Sequence, residues 1–169
     1  MTVYATLDSP LGELLLVGEE SATAPGGTAL VSLSVPGQKG GAAVLDGWRR
    51  APEAFAAIAA QLRAYFAGEL TRFDVEYAAD APGTAFQRRV WAELDTIAYG
   101  TTTSYGEIAR RIGATSVHVR AVGTAIGRNP LLVVRPCHRV IGSDGSLKGY
   151  AGGLERKQAL LGLEGALAS

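Results

Sequence analysis

The sequence predicts an α+β fold in which a small N-terminal αβ domain, an antiparallel sheet plus a helix, precedes a mostly helical C-terminal domain with a helix-turn-helix. Three observations predict it. Three β-rich runs lie before residue 36, apolar residues recur at helical spacing in several later segments, and a segment rich in Ala, Pro and Gly interrupts the pattern near residue 80. A chain of 169 residues fits two such domains, which we place at residues 1–79 and 80–169.

The predicted sheet begins with two β-rich runs, Met1–Leu7 and Glu13–Gly18. The residues between them, Asp8–Gly12, have the Ser, Pro and Gly content of a hairpin turn. A third strand is predicted at Ala29–Val35. These three strands form the sheet of the first domain.

A helix beginning at Pro52 completes the first domain, with apolar residues at helical spacing and Gly68 in place to end it. The spaced residues are Phe55, Ile58, Leu62 and Phe66. The segment Ala78–Gly83 has the composition of a linker.

The second domain opens with an amphipathic helix marked by Phe86, Val90, Trp91 and Leu94. Next, Ser104 and Glu107 have the spacing of a capping box, which predicts a short helix ending before Gly113.

A further helix over Val117–Ile126, capped by Thr115 or Ser116, would complete a helix-turn-helix. The same pattern also occurs in helical hairpins that only pack.

The apolar run Leu131–Val134 predicts a buried strand that ends just before Cys137. Glycine-rich loops at 142–145 and 149–153 follow, and they could wall a pocket. The last predicted helix, Leu154–Leu163, would expose Arg156 and Lys157.

The charge is unevenly distributed although the net charge is zero. Residues 1–100 carry 7 Lys/Arg against 12 Asp/Glu, whereas residues 101–169 carry 9 against 4. A basic half suits phosphate contact, and solvated surface charge explains it equally well. The sequence contains neither a membrane-length apolar run nor a signal peptide, so we expect a cytoplasmic protein without a membrane partner.

Cys137 is the only cysteine, and it is followed directly by His138 and Arg139. Histidine and arginine are residues that promote a reactive thiolate. A lone cysteine is also often a small buried apolar residue. The polar neighbours favour a reactive thiol, and one cysteine with two histidines makes a poor metal site.

The helix before this cysteine has an unusual face of small residues, with Arg120 as its one long side chain. The small residues are Ala121, Gly123, Thr124 and Ala125. A helix that reads the major groove needs several long polar side chains, so this face favours shape-driven or minor-groove contact with DNA. A helix packed tightly on its neighbour would also show small residues.

Taken together, these motifs resemble the O6-alkylguanine-DNA alkyltransferase family. The resemblance runs almost continuously through the second domain and is weaker in the first, where it rests on Asp8–Gly12 and Tyr65–Gly68. Its motifs are Gly83–Gln87 with Val90-Trp91, Ser104–Ala109, Arg120–Gly123, Asn129-Pro130, Pro136–Gly142 and Gly149–Leu154.

The resemblance implies DNA repair by transfer of the alkyl group of O6-alkylguanine to Cys137, in a suicide reaction that needs no cofactor. In the family, the residue at the position of His138 takes the thiol proton through a water. The residue at the position of Glu164 polarises that histidine, and the one at Asn129 braces the turn before the cysteine.

The resemblance also implies the partner, which is double-stranded DNA containing O6-alkylguanine, bound in the minor groove with the damaged base flipped out. Tyr105 would crowd the 3′ phosphate and donate a hydrogen bond to the base, while Arg120 would fill the vacated place. The remaining DNA contacts are Ala121, Gly123 and Thr124, and the guanine pocket is formed by Val140, Tyr150, Ala151 and Gly152. We expect a monomer in solution, with cooperativity on DNA left open.

Some positions depart from the family pattern. Arg135 stands where an apolar residue is usual, so we expect it to be exposed or paired with an acid. The turn from Gly113 to Arg120 is one residue longer than usual.

Two other functions stay open at this point. A sensor of alkylated bases that does not repair them would lack the cysteine, and a cysteine hydrolase would turn over repeatedly.

Overall fold

The structure is a computed structural model that describes residues 1–79 and 83–167. The chain divides into two compact units, residues 1–81 and 82–169, each of which is described by itself. The α+β fold class is confirmed, with a sheet in the first unit and a mostly helical second unit. The domain boundary after residue 79 stays a prediction, and the central part of the linker predicted at 78–83 lies outside the described residues.

The first unit is built on an antiparallel meander of three strands, β1 (Thr2–Ser9), β2 (Gly12–Glu20) and β3 (Thr28–Ser34). The β1–β2 hairpin closes through two turn residues, and Gly12 adopts the positive φ of 102° that the turn requires.

A short strand, β4 (Arg49–Arg50), pairs in parallel with β1, so the sheet order is β3-β2-β1-β4. The sheet is therefore mixed, whereas the sequence predicted a purely antiparallel sheet. A strand of two residues has no hydrophobic alternation that would reveal it.

One helix covers the sheet. The chain makes a 3-10 turn at Pro52–Phe55 and continues as α1 (Ala56–Phe66). Three of the four apolar residues predicted for this helix, Phe55, Ile58 and Leu62, are almost completely buried, as are Leu14, Leu30 and Leu33 of the sheet. The fourth, Phe66, is only half-buried, and its neighbour Tyr65 is fully buried instead. Burial of this apolar surface stabilises the unit.

Over residues 83–167, the second unit forms four α-helices: α2 (Ala85–Leu94), α3 (Tyr105–Arg111), α4 (Val119–Gly127) and α5 (Leu154–Leu163). Helices α3 and α4 form the predicted helix-turn-helix, and Gly113 in the turn has a φ of 74°. A 3-10 turn at Ser116–His118 leads into α4.

The helix starts differ in part from the prediction. Ser104 caps α3 by accepting a hydrogen bond from the Glu107 N–H, but the Glu107 carboxylate pairs with Arg110 and Arg111. The complete capping box lies instead at α2, between Thr84 and Gln87.

Two short strands, β5 (Thr103–Ser104) and β6 (Val140–Ile141), pair in parallel. They join the start of α3 to the segment that follows Cys137. Across the described residues, no helix combines the length and the apolar character needed to span a bilayer.

Candidate active site

Cys137 begins a 3-10 turn, Cys137–Arg139, and follows a buried loop. The strand predicted at Leu131–Val134 is wrong: these residues form successive turns, with Val134 N–H bonded to Leu132 O and Arg135 N–H to Leu131 O. Val133 has a φ of 70°, which is unusual for a β-branched residue. An apolar run reports burial, and it cannot distinguish a buried strand from a buried turn.

The side chain of Asn129 spans this loop. Its Oδ1 accepts from the Leu131 N–H at 3.0 Å, and its Nδ2 donates to the carbonyls of Leu131 at 3.2 Å and Arg135 at 3.3 Å. Asn129 is buried, so these bonds replace water for backbone groups that a strand partner would otherwise satisfy. The amide thereby defines the backbone path that leads to Cys137.

His138 and Glu164 form a buried pair next to the cysteine. His138 Nε2 lies 2.8 Å from Glu164 Oε2, and both side chains are fully buried. A carboxylate accepts hydrogen bonds, so Nε2 carries the proton and Nδ1 keeps its lone pair. Burial lowers the pKa of His138 more than the Glu164 carboxylate raises it, which keeps the ring neutral.

Arg139 holds Glu164 in place. Its Nε and Nη2 donate to the two carboxylate oxygens at 2.8 and 2.9 Å, and its Nη1 donates to the Ile97 carbonyl at 2.6 Å. This bidentate geometry neutralises a buried carboxylate and orients it toward His138.

The sulfur of Cys137 is enclosed by protein, and the residue is only 3% exposed. Burial raises the pKa of the thiol to about 11, while the Asn129 side chain, the Lys157 ammonium and the Arg135 guanidinium act in the opposite direction. The sequence suggested that Arg139 promotes the thiolate, but its guanidinium forms an ion pair with Glu164.

Lys157 is completely buried, although the sequence predicted an exposed side chain. Its Nζ donates to the carbonyls of Val140 at 2.6 Å, Lys148 at 2.7 Å and Gly149 at 3.1 Å. Burial lowers the pKa of this lysine to about 8, and the thiolate form of Cys137 acts in the opposite direction. Lys157 therefore ties β6 to the loop before α5 and places a cation near the sulfur.

The Tyr105 side chain contacts the same loop. At the first position of α3, its hydroxyl is 3.3 Å from the Lys148 carbonyl and 3.5 Å from that of Gly149, and its ring lies 5.8 Å from Lys157 Nζ. Burial, and then the charge of Cys137, raises the pKa of Tyr105. The hydroxyl consequently stays protonated and can act as a hydrogen-bond donor.

The four residues predicted for the guanine pocket lie on β6 and on the loop before α5. Val140 is buried in β6, Tyr150 and Ala151 are half-buried, and the Gly152 carbonyl accepts from Arg156 at 3.0 Å. Lys157 connects the two segments through Val140 and Lys148.

The predicted DNA-facing residues lie along α4. Arg120, Ala121 and Thr124 are exposed and line a groove of about 520 Å³, while Gly123 faces the Tyr105 ring, which a Cβ at Gly123 would meet at 3.8 Å. The other side of α4 is buried, and the Trp91 indole donates to the Ala125 carbonyl at 2.9 Å. Of the four small residues that the sequence placed on one face, Ala121 and Thr124 are thus exposed, Gly123 is half-buried and Ala125 is buried.

Comparison with known proteins assigns the chain to a family. Residues 2–78 match the ribonuclease-like domain, and residues 85–166 the DNA binding domain, of 6-O-methylguanine DNA methyltransferase. The chain belongs to the 6-O-methylguanine DNA methyltransferase family.

Individual relatives agree with this family across the whole chain. A methylated-DNA–protein-cysteine methyltransferase of Mycolicibacterium paratuberculosis is 52% identical, covering 97% of this chain and 93% of the relative. One from Methanosarcina acetivorans is 47% identical, covering 96% and 97%. The crystal structure of Mycobacterium tuberculosis OGT in complex with DNA superposes with a TM-score of 0.85 at 50% identity, covering 97% of this chain and 93% of that one.

Arg135 departs from the family pattern, in which an apolar residue is usual at this position. It is 8% exposed, its Nε lies 3.6 Å from Asp95 Oδ1, and its guanidinium lies 5.4 Å from the Trp91 ring. Pairing with an acid, one of the two outcomes expected from the sequence, is confirmed. The paired cation contributes positive charge near Cys137.

Two site residues escaped the sequence-based reasoning, Lys157 as a buried cation and Arg139 as the partner of Glu164. The signal for Lys157 was its position in α5, three residues before the buried Leu160 and four before the buried Leu161. That spacing places it on the inward face.

Proposed function

We propose that this protein is a single-turnover methylated-DNA–protein-cysteine methyltransferase whose acceptor is Cys137. The observation that carries the proposal is the buried chain of contacts from Arg139 through Glu164 to His138, beside the only cysteine. Such an arrangement supplies a neutral, oriented base next to a thiol. The membership of the family supports the same activity.

The proposed reaction is a displacement at the saturated carbon of the alkyl group. His138 Nδ1 takes the thiol proton through a bridging water, and the sulfur attacks the carbon attached to guanine O6. The S–C bond forms while the C–O6 bond breaks, and the electron pair of that bond stays on the guanine. The base then regains a proton, so guanine and a thioether are the only products.

The charges around the sulfur support this step. Lys157 and Arg135 stabilise the developing thiolate, and the Tyr105 hydroxyl donates to the base as negative charge moves onto it. Glu164 stabilises the imidazolium that His138 becomes. Asn129 keeps the loop before Cys137 in place.

The substrate is double-stranded DNA in which O6-alkylguanine is flipped out of the stack, a step that costs a few kcal/mol. Arg120 on the exposed face of α4 is suited to fill the space the base leaves, and Ala121, Gly123 and Thr124 permit a close approach to the minor groove. Val140, Tyr150, Ala151 and Gly152 would border the flipped base. A cytoplasmic location and a monomeric state belong to this proposal.

Intact mass spectrometry tests the proposal. After incubation with a duplex oligonucleotide carrying O6-methylguanine, the protein should gain one methyl group in place of one hydrogen, mapped to Cys137. The matched duplex with unmodified guanine should leave the mass unchanged. Cys137→Ser should bind the modified duplex and gain nothing, and methyl transfer by that variant would refute the acceptor.

A further inference from the structure

Two arginines of the second unit differ from the others in having no protein partner for the guanidinium. Of the other seven, Arg88 makes a contact of its own, and six donate to, or pair with, carbonyls or carboxylates: Arg89, Arg110, Arg111, Arg135, Arg139 and Arg156. Among the residues that the structure describes, Arg120 and Arg128 make no such side-chain contact, and both are exposed. Only Arg120 was singled out by the sequence.

Both arginines line the same groove between α4 and the start of α2. Its volume is about 520 Å³, and its lining contains no acidic residue. Arg120 lies in the first turn of α4 and Arg128 directly after its last residue, so about 12 Å of helix axis separates them. Two like charges that share a groove without a carboxylate favour an anionic partner.

The remaining lining adds hydrogen-bond donors. Thr84 and Gln87 form the capping box of α2, in which the Gln87 Oε1 accepts from the Thr84 N–H at 2.9 Å. That bond leaves the Gln87 Nε2, a donor with two hydrogens, on the groove. The N-terminus of α2, which carries the partial positive charge of the helix dipole, also lies at this groove.

We propose that Arg128, together with the Gln87 amide, binds a phosphate of the DNA backbone in this groove. A guanidinium matches a phosphate in shape and donates to it bidentately. The inference rests on the proposed function, because it takes DNA as the partner, and it adds a contact that positions the duplex while Arg120 acts at the lesion.

The salt dependence of DNA binding tests this contact. The affinity of the protein for an unmodified duplex oligonucleotide is measured over a series of NaCl concentrations for the wild type, Arg128→Gln and Arg128→Lys. Loss of one phosphate contact should reduce the slope of log affinity against log salt by about 0.9 in Arg128→Gln. Arg128→Lys retains the charge, and its slope should match the wild type.

Arg72→Gln is the matched control, since Arg72 is an exposed arginine of the first unit, and its slope should equal that of the wild type. A wild-type slope in Arg128→Gln would overturn the proposal. So would binding of inorganic phosphate alone that depends on Arg128 while the DNA slope does not, because the groove would then serve a free anion. Methyl transfer to Cys137 is measured separately, so the two proposals fail independently.

Discussion

At the residue scale, burial keeps the sulfur of Cys137 mainly in the thiol form. Burial raises the pKa of this thiol to about 11, so the thiol and not the thiolate is the main form at pH 7. The thiolate is the form that oxidants and stray electrophiles attack. A raised pKa therefore protects a nucleophile that is used once, while His138 supplies deprotonation when the alkylated base is in place.

The pH dependence of the reaction should report the neutral state of His138. Because the pKa of this ring is lowered, the ring stays able to accept a proton down to a pH below 6.5. The rate of reaction with a free O6-alkylguanine base should be flat near pH 7 and should fall only below pH 6.5. Stopped-assay rates across pH 4.5–8, at about half-unit steps, measure this profile.

Glu164→Gln is the informative variant for this profile. The carboxylate raises the pKa of His138, so its removal should move the fall in rate to lower pH and reduce the maximum rate. Unfolding must be followed in parallel by circular dichroism. The unfolded chain protonates histidine near pH 6.5, so acid also destabilises a fold in which His138 is neutral. A fall in rate that begins above pH 6.5 would contradict the assignment.

At the scale of elements, α4 is a helix with one buried side and one exposed side of small residues. Val122, Ala125 and Ile126 form the buried side, and Arg120 is the long side chain next to the exposed small ones. This division allows the backbone of α4 to approach DNA closely while one guanidinium reaches further.

Arg120→Ala should separate base flipping from chemistry. We expect the rate of repair in duplex DNA to fall at least tenfold, because about 1.4 kcal/mol of stabilisation of the flipped state corresponds to a factor of ten. Reaction with the free alkylated base, which needs no flipping, should change much less. The measurement is the rate constant of Arg120→Ala and of the wild type on each substrate. An equal fall in rate on both substrates would show that Arg120 has no role in flipping.

Much of the element structure was predictable from sequence, because strands β1 to β3 and helices α1 to α5 bury regular apolar patterns. Errors arose where a local signal was ambiguous or misread. The run Leu131–Val134 is buried in turns whose polar groups Asn129 satisfies, and hydrophobicity does not encode that solution.

The prediction that Lys157 is exposed, which rested on residue type alone, was also wrong. A lysine in a helix is usually exposed, and this one is buried because three carbonyls from β6 and the following loop converge on its ammonium. That convergence is a property of the tertiary structure. The catalytic candidates Cys137, His138 and Glu164 could be named from their residue types and the family motif, whereas the role of Arg139 depends on its tertiary contacts with Glu164.

At the scale of the whole molecule, every side chain of the candidate site belongs to the second unit, residues 82–169. That unit contains one thiol, and the described residues include no group of acidic, histidine and cysteine side chains able to hold a metal ion. A thioether at Cys137 does not exchange with thiols as a disulfide does, so the acceptor sulfur is not regenerated.

Titration should therefore show a fixed stoichiometry. With O6-methylguanine duplex in excess, the number of repaired lesions should rise with protein and stop at no more than one per molecule. Counting lesions left in the DNA by nuclease digestion and chromatography gives this ratio. Repair beyond one lesion per molecule would indicate a hydrolase, and bound but unrepaired lesions would indicate a sensor.

The ring of carbonyls around Lys157 has a consequence for the timing of substrate capture. The ammonium replaces water at the oxygens of Val140, Lys148 and Gly149, so this part of the loop beside the base site is already ordered in the empty protein. Its conformational entropy is lost on folding and not on encounter with a lesion. Capture of a lesion then requires no ordering of this part of the loop.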